Sequence, residues 1–297
     1  MQIKTIILGT AGSAPTITRK MPSVAVIYEG DVLLFDCGEG TQFRMLDYGI
    51  NPVRVKAIFV SHAHGDHTIG IAGLVRTMGM NNRREPLEIF VPAGDERVIQ
   101  SLITFDRALI GYKIVIKGVR SGVVYSGRDY EVLAFKLRHT IPTYGYVFRE
   151  TRKLRFKKEL AKRLGLKGEM FAELKKKGRI KVGKKTVALS QVTWEQEGKK
   201  IVYATDTRPT PSTIVAAKNA DLLIHESSYK ASEIGLARQR MHSSAGEVAA
   251  LAKRAHVKRL VLTHISARHR TDAELLRDAK RIFSNSVVAK DGYTLVI

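Results

Sequence analysis

The chain has 297 residues, with 50 Lys and Arg against 28 Asp and Glu, a formal net charge of +22 and a hydrophobic share of 44%, which together exclude a disordered chain or a fibre and promise a large buried core. No run approaches the ~20 apolar residues of a membrane span, the N-terminus carries no signal-peptide core, and with Cys37 as the single cysteine an intrachain disulfide framework is excluded. The expectation is a soluble, cytoplasmic protein whose charge favours a polyanionic partner, nucleic acid being the commonest.

From the N-terminus, short β-branched apolar runs alternate with helical segments, the pattern of an α/β layered protein. Residues 4–8, 23–28 and 32–35 read as strands, with Glu29-Gly30-Asp31 as the turn between the last two. Asp36 ends the third run, and by its chemistry alone it is a candidate ligand. The next run, Val55 to Ser61, delivers His62, His64, Asp66 and His67 just ahead of a helix predicted over 68–78. Three imidazoles beside a carboxylate suit a divalent cation bound by neutral rings. His62 and His64 alternate in an extended segment and can point the same way, while Asp66 and His67 lie past Gly65 and can face a neighbouring position, an arrangement that suits two metals. A helix is predicted over 94–104, and the apolar run 132–138 ends at His139.

The segment from Thr151 to Lys185 holds 15 Lys and Arg against 3 Asp and Glu, so +12 of the +22 is local. It reads as two helical pieces, 156–164 and 169–177, closed by Gly165 and Gly178, then a Gly183 turn and a strand around 186–189. Few aromatics are present, so phosphate contact is expected rather than base stacking, with Lys157, Lys158, Lys175, Lys176 and Lys177 as candidates. A solvated, Lys-rich surface hairpin is the plainer alternative.

Beyond it, the run 200–205 ends at Asp206, helices are predicted over 212–219, 243–255 and 272–283, and the run 259–263 ends at His264. One strand-end histidine is ordinary. Four strand ends that each supply a His or Asp to one sheet edge are not. The seven candidates His62, His64, Asp66, His67, His139, Asp206 and His264 fit two ions if one carboxylate bridges, and Asp206 is the candidate bridge.

The His62-Ala63-His64-Gly65-Asp66-His67 motif with the later strand-terminal His, Asp and His resembles the metallo-β-lactamase superfamily. Phe35-Asp36-Cys37-Gly38-Glu39-Gly40-Thr41-Gln42, His139-Thr140-Ile141-Pro142, Ala204-Thr205-Asp206-Thr207-Arg208-Pro209, His225-Glu226-Ser227-Ser228-Tyr229, His242-Ser243-Ser244 and Thr263-His264-Ile265-Ser266-Ala267-Arg268 narrow the resemblance to its ribonuclease Z family. The resemblance implies an αββα sandwich, two mixed sheets with outer helices, spanning residues 1–297, with residues 151–198 as an inserted basic arm that grips tRNA. The charged segment falls where that family carries its arm, which favours RNA contact over the solvated hairpin.

By matching positions, the resemblance implies two zinc ions per subunit, one held by His62, His64 and His139, the other by Asp66, His67 and His264, with Asp206 between them and Mn²⁺ or Fe²⁺ as substitutes. Asp66 would orient or deprotonate the attacking water, and a Glu226–His242 pair would protonate the leaving ribose oxygen. Arg268 would face a substrate phosphate. Asp36 matches a structural residue beside the site, and Cys37 next to it reads as a small buried residue rather than a nucleophile. The implied activity is cleavage of precursor tRNA on its 3′ side by a homodimer. A broad phosphodiesterase or arylsulfatase-like hydrolase on the same scaffold is the alternative. The chain departs from the family at Arg19-Lys20, where an Arg-Asn pair is usual, at the arm knuckle Gly165 to Met170, which lacks the usual Gly-Pro, and at His242-Ser243-Ser244, where the usual third residue is Thr.

Overall fold

The Val55–Phe59 strand shows no polar alternation because both of its faces are covered. Ala57 and Phe59 point into one cluster shared with a second sheet, and Ile58 and Val60 into another shared with helices. The same logic organises the whole computed structural model, which describes residues 2–104 and 110–297. One seven-stranded sheet runs in the order Tyr293–Val296, Ile3–Gly9, Ser23–Tyr28, Asp31–Phe35, Val55–Phe59, Leu87–Pro92, Ile114–Val119. The other runs Ser286–Val288, Leu260–Thr263, Leu222–Glu226, Lys200–Ala204, Tyr144–Glu150, Tyr130–Lys136, Gly122–Ser126. Both are mixed: parallel from Asp31–Phe35 to Ile114–Val119 in the first, and from Lys200–Ala204 to Ser286–Val288 in the second.

The inner cluster between the sheets is aromatic. Phe35 stacks on Phe59 at 5.2 Å and Phe59 on Phe90 at 5.0 Å, facing Tyr146 and Tyr203 of the other sheet; each such ring contributes about 2 kcal/mol when removed from water. Outside, the helices Gly70–Met80 and Glu96–Thr104 bury Leu74, Val75, Met78 and Ile99 on the first sheet. The helices Ala245–Arg254 and Ala273–Lys280 bury Val248, Leu251 and Leu275 on the second. This is the expected αββα sandwich of two mixed sheets.

Several element boundaries differ from the sequence expectation for local reasons. The helix predicted over 68–78 is two pieces, Gly65–Thr68 and Gly70–Met80, and its join lies against the Cys37–Gly38 turn so closely that a Cβ on Gly70 would stand 1.9 Å from the Gly38 carbonyl oxygen. The helix after His242 starts at Ala245, because Ser244 and Glu247 form a capping box there. Phe156 ends a strand, Lys153–Phe156, and the helix follows at Lys158–Arg163. The helix Thr41–Asp47 has no counterpart in the sequence reading, since its exposed Phe43 and Leu46 spoil an amphipathic pattern.

The described chain divides into two compact units, Met1–Arg149 with Lys200–Ile297, and Glu150–Lys199. The second leaves and re-enters the first where Arg149 and Lys200 are paired on neighbouring antiparallel strands. It has its own small core of Ala161, Leu166, Leu174, Ile180, Val187 and Val192. Around that core stand the helices Lys158–Arg163 and Met170–Lys177 and the hairpin Arg179–Val182 with Lys185–Ala188, turned at Gly183.

Candidate metal and catalytic site

Parallel strands deliver their C-terminal residues to one edge, and here several of them stop at a polar side chain. Asp36, Asp206 and His264 follow their strands with φ of 58°, 43° and 54°. The left-handed region costs a non-glycine residue of order 1 kcal/mol, so three such residues at one edge mark a place where side-chain direction outweighs backbone comfort. Asp and His tolerate it better than a branched residue.

The edge gathers the candidate ligands into two sets. His62, His64, His139 and Asp206 offer donor atoms that all lie within 4.8 Å of one another, as do Asp66, His67, Asp206 and His264. Asp206 belongs to both. Its Oδ2 stands 3.7 Å from His62 Nε2 and 3.8 Å from His139 Nε2, while its Oδ1 stands 3.0 Å from His264 Nε2 and 3.4 Å from His67 Nε2.

These contacts are close but badly aligned for hydrogen bonds. The buried Nε2 atoms of His67 and His264 have no hydrogen-bond partner, although carboxylate oxygens surround them. Orphaned buried nitrogens are costly, and a cation between nitrogen lone pairs and carboxylates relieves that cost. The residues present therefore fit divalent metal ions.

The rings are held by their other nitrogens, as metal ligands require. His67 Nδ1 meets Asp36 Oδ2 at 2.7 Å. His62 Nδ1 meets Ser61 Oγ at 2.8 Å, and that hydroxyl donates to Asp36 Oδ2 at 3.0 Å. Asp36 also accepts from the Ser61 amide and the Tyr203 hydroxyl, both at 2.7 Å. One fully buried carboxylate thus orients a ligand of each set. His264 Nδ1 lies 3.1 Å from Ser228 Oγ, and His139 Nδ1 lies 3.3 Å from the Met241 carbonyl.

Burial and the neighbouring imidazoles push His62 well below its ordinary range, and burial lowers His139. Burial also opposes charge on His264, yet Asp206 and Asp66 outweigh it and push that imidazole up to about 10. The carboxyl of Asp206, against the effect of its burial, is held well below the usual range by His264 and His67.

Beside the second set, Glu226 is fully buried and its Oε1 meets His242 Nδ1 at 2.9 Å. Burial disfavours the imidazolium of His242, but the Glu226 carboxylate more than compensates, so its pKa is raised. His242 lines a cleft of about 570 Å³ together with His64, Asp66, His139, Asp206 and Arg268. Arg268 is partly exposed, with its guanidinium 4.9 Å from the Tyr229 ring centroid.

Two further cleft residues, Tyr229 and Arg240, were not among the expected site residues. Tyr229 stands in a motif noted for Glu226, whereas Arg240 sits in a helical surface stretch where an arginine carries no signal. Lys157, Lys158, Lys175, Lys176 and Lys177 all belong to the second unit and are exposed. Lys177 pairs with Glu173 at 2.6 Å.

The family model of the metallo-beta-lactamase superfamily matches residues 17–264. A ribonuclease Z of Methanosarcina mazei is 40% identical over 293 residues, covering 97% of this chain and 96% of that one. A ribonuclease Z of Methanothermobacter thermautotrophicus is 37% identical over 292 residues, covering 98% and 95%. Among solved structures, the short form of human tRNase Z superposes with a TM-score of 0.73 at 24% identity, covering 98% of each chain. A diphosphatase from the PhnP family gives 0.66 at 18% identity, covering 100% of this chain and 98% of that one. The scaffold alone therefore spans more than one chemistry. The full-length sequence relatives narrow it, and the chain belongs to the ribonuclease Z family of the metallo-β-lactamase superfamily.

Proposed function

We propose that this protein is an endoribonuclease that cuts precursor tRNA on its 3′ side and leaves a 3′-hydroxyl, with two zinc ions per subunit at the edge described above. One observation carries the reading: two donor sets share Asp206 and open, with the Glu226–His242 pair, onto a single cleft. Family membership makes the protein a metal-dependent hydrolase, and the substrate and products are the finer part of the proposal.

His62, His64 and His139 would hold one ion, and Asp66, His67 and His264 the other, with Asp206 common to both. When bound, such ions lower the pKa of water toward neutrality and offset charge on phosphodiester oxygens. Mn²⁺ or Fe²⁺ suits the same donors. Asp66 lines the cleft, and although burial opposes its charge, His264 and His67 hold its carboxyl well below the usual range. It stays ionised and can align the attacking water through a hydrogen bond. The bond to the ribose 3′-oxygen breaks, and that oxygen takes a proton from the imidazolium of His242, kept charged and aimed by Glu226.

The arm supplies affinity in this reading. Its cations are exposed around a small core, as phosphate contacts require. The homodimer follows from the family resemblance alone. Among the described residues no helix is long and apolar enough to cross a membrane, which accords with a cytoplasmic substrate.

The test uses a tRNA with a 3′ extension and an aryl phosphodiester, with the intact protein and with a chain in which an Asn-Gly turn replaces Glu150–Lys199, a closure that the Arg149–Lys200 pairing permits. The expected result is cleavage at the 3′ side with a free 3′-hydroxyl, sharply weakened for tRNA alone when the arm is removed. Equal loss on both substrates, or no tRNA cleavage by the metal-loaded protein, overturns the proposal in favour of a small-molecule phosphodiesterase.

A further inference from the structure

His242 sits in an awkward piece of chain. It lies between the helix Ile234–Gln239 and the helix Ala245–Arg254, just after Met241, whose φ is +60°. The C-terminal cap of the first helix holds its amide, which donates to the Ala237 carbonyl at 2.9 Å, but no regular element takes up its carbonyl. Its ring nevertheless has to meet Glu226 on one side and the cleft on the other.

Beyond that cap, three ties that involve side chains hold the segment, and two of them run to the Thr207–Arg208 dipeptide that follows Asp206. The Arg208 guanidinium donates from Nη1 to the His242 carbonyl oxygen. The Ser243 hydroxyl donates back to the Thr207 carbonyl at 2.5 Å. On the third, the Met241 carbonyl receives His139 Nδ1 at 3.3 Å. Thr207 in turn donates its amide to Glu226 Oε1 at 2.7 Å, the oxygen that His242 uses.

Arg208 is itself fixed. Its fork meets both oxygens of Glu247, Nη1 to Oε2 at 3.0 Å and Nη2 to Oε1. Glu247 Oε2 also accepts from the Ser244 amide at 3.1 Å and the Ser244 hydroxyl at 2.9 Å, as the capping box of the next helix. The side chains are only 12% and 18% exposed. A planar guanidinium has enough donors to satisfy a carboxylate and a carbonyl at once, which an ammonium does not do in one plane.

We propose that Arg208 is a positioning residue for the proton donor: clamped by Glu247, it sets the His242 carbonyl and with it the place of the imidazole over the leaving oxygen. Arg208 reaches no reacting atom in this scheme. Its contribution is alignment, and misplacing a reacting group by about 1 Å costs on the order of 100-fold. The inference rests on the reading of His242 as proton donor.

Leaving-group chemistry provides the test, because a ribose oxygen needs a proton and a p-nitrophenolate does not. Full-length metal-loaded protein is assayed on precursor tRNA and on bis(p-nitrophenyl) phosphate as wild type, His242→Ala, Arg208→Ala and Arg208→Lys, with metal content measured for each. His242→Ala calibrates the assay. It should lose about 10²- to 10⁴-fold in kcat on tRNA and far less on the aryl ester; equal loss on both overturns the donor assignment itself. Given that discrimination, Arg208→Ala should lose about 10- to 100-fold in kcat on tRNA, with KM and metal content held and a much smaller loss on the aryl ester. Arg208→Lys should keep the charge and the fold without restoring kcat. Equal losses on both substrates in the Arg208 variants, loss of metal, or full rescue by Lys overturns the inference and makes the Arg208–Glu247 pair a plain structural salt bridge.

Discussion

At the sandwich edge, His67, His264, Glu226 and Asp206 are buried, crowded and held by Asp36, Ser228, Thr207 and Thr205 respectively. In the second unit, Lys157, Lys158, Lys175, Lys176 and Lys177 stand in solvent, and of these Lys177 has a surface partner in Glu173. The edge concentrates charge of both signs and strains its backbone to do so. The second unit spreads an excess of positive charge over a few buried apolar residues. Charge in a low-dielectric, fixed setting is suited to altering a reaction barrier, whereas screened, mobile charge is suited to attracting a polyanion. Changes at the edge should therefore appear in kcat and metal content, and changes in the arm in KM and salt dependence.

Asp206→Ala breaks that contrast most severely. Both donor sets lose their common member, so metal content should drop at both positions and kcat should fall by about 10⁴-fold, the scale seen when one member of a unit is removed. Elemental analysis and single-turnover cleavage check this, and retention of tRNA affinity would show that the arm acts apart from the edge.

Glu226→Gln should cost about 10- to 100-fold at mildly alkaline pH, and its pH profile carries the diagnosis. Burial disfavours the charged form of His242, while Glu226 raises its pKa overall. The protonated donor therefore persists above its ordinary range when Glu226 is present. With the carboxylate neutralised, burial prevails, and the alkaline limb of kcat should move to lower pH. An unmoved limb would assign that limb to another group.

Asp36→Asn sharpens the same contrast from behind the ligands. Asn accepts the φ of 58° and keeps the shape, so the backbone should survive. It weakens the pull on His67 Nδ1 and on Ser61, and metal affinity should fall about 10- to 100-fold, read as a chelator competition. Preserved affinity would make Asp36 a packing residue only.

Most of the candidate ligands are legible in the sequence because fully buried parallel strands read as unbroken apolar runs, and a His or Asp ending such a run stands out. His62, Asp206 and His264 are visible in this way, whereas His139 follows the half-buried antiparallel strand Tyr130–Lys136 and stands out only as a histidine at a strand end; the structure places each of these histidines within reach of Asp206. The layered fold was legible from the same runs. Pairing was not: the edge strands Ile114–Val119 and Gly122–Ser126 are half-exposed and acquire their identity from neighbours. Glu226 and His242 lie in motifs whose chemistry is ordinary until the fold brings them together at 2.9 Å. Ser61, Ser228 and Arg208 carry residue types too common to be noticed, and their importance lies in which atom each one orients.

The gentlest change falls in the arm. Lys175, Lys176 and Lys177 form the last turn of the helix Met170–Lys177, which Gly178 closes in the left-handed conformation at φ 73°. Cations there favour the helix terminus by a few tenths of a kcal/mol each, and an exposed pair such as Lys177 with Glu173 adds little, so replacing all three by Gln should hardly alter stability. If these ammonium groups meet phosphates, each one neutralised should flatten the salt dependence of tRNA binding by about one unit of slope. The expected result is a severalfold rise in KM at moderate salt, a convergence with wild type as salt is raised, and an unchanged kcat. A fall in kcat instead would mean that the arm helps to set the reacting geometry, and the separation between an edge that reacts and an arm that attracts would not hold.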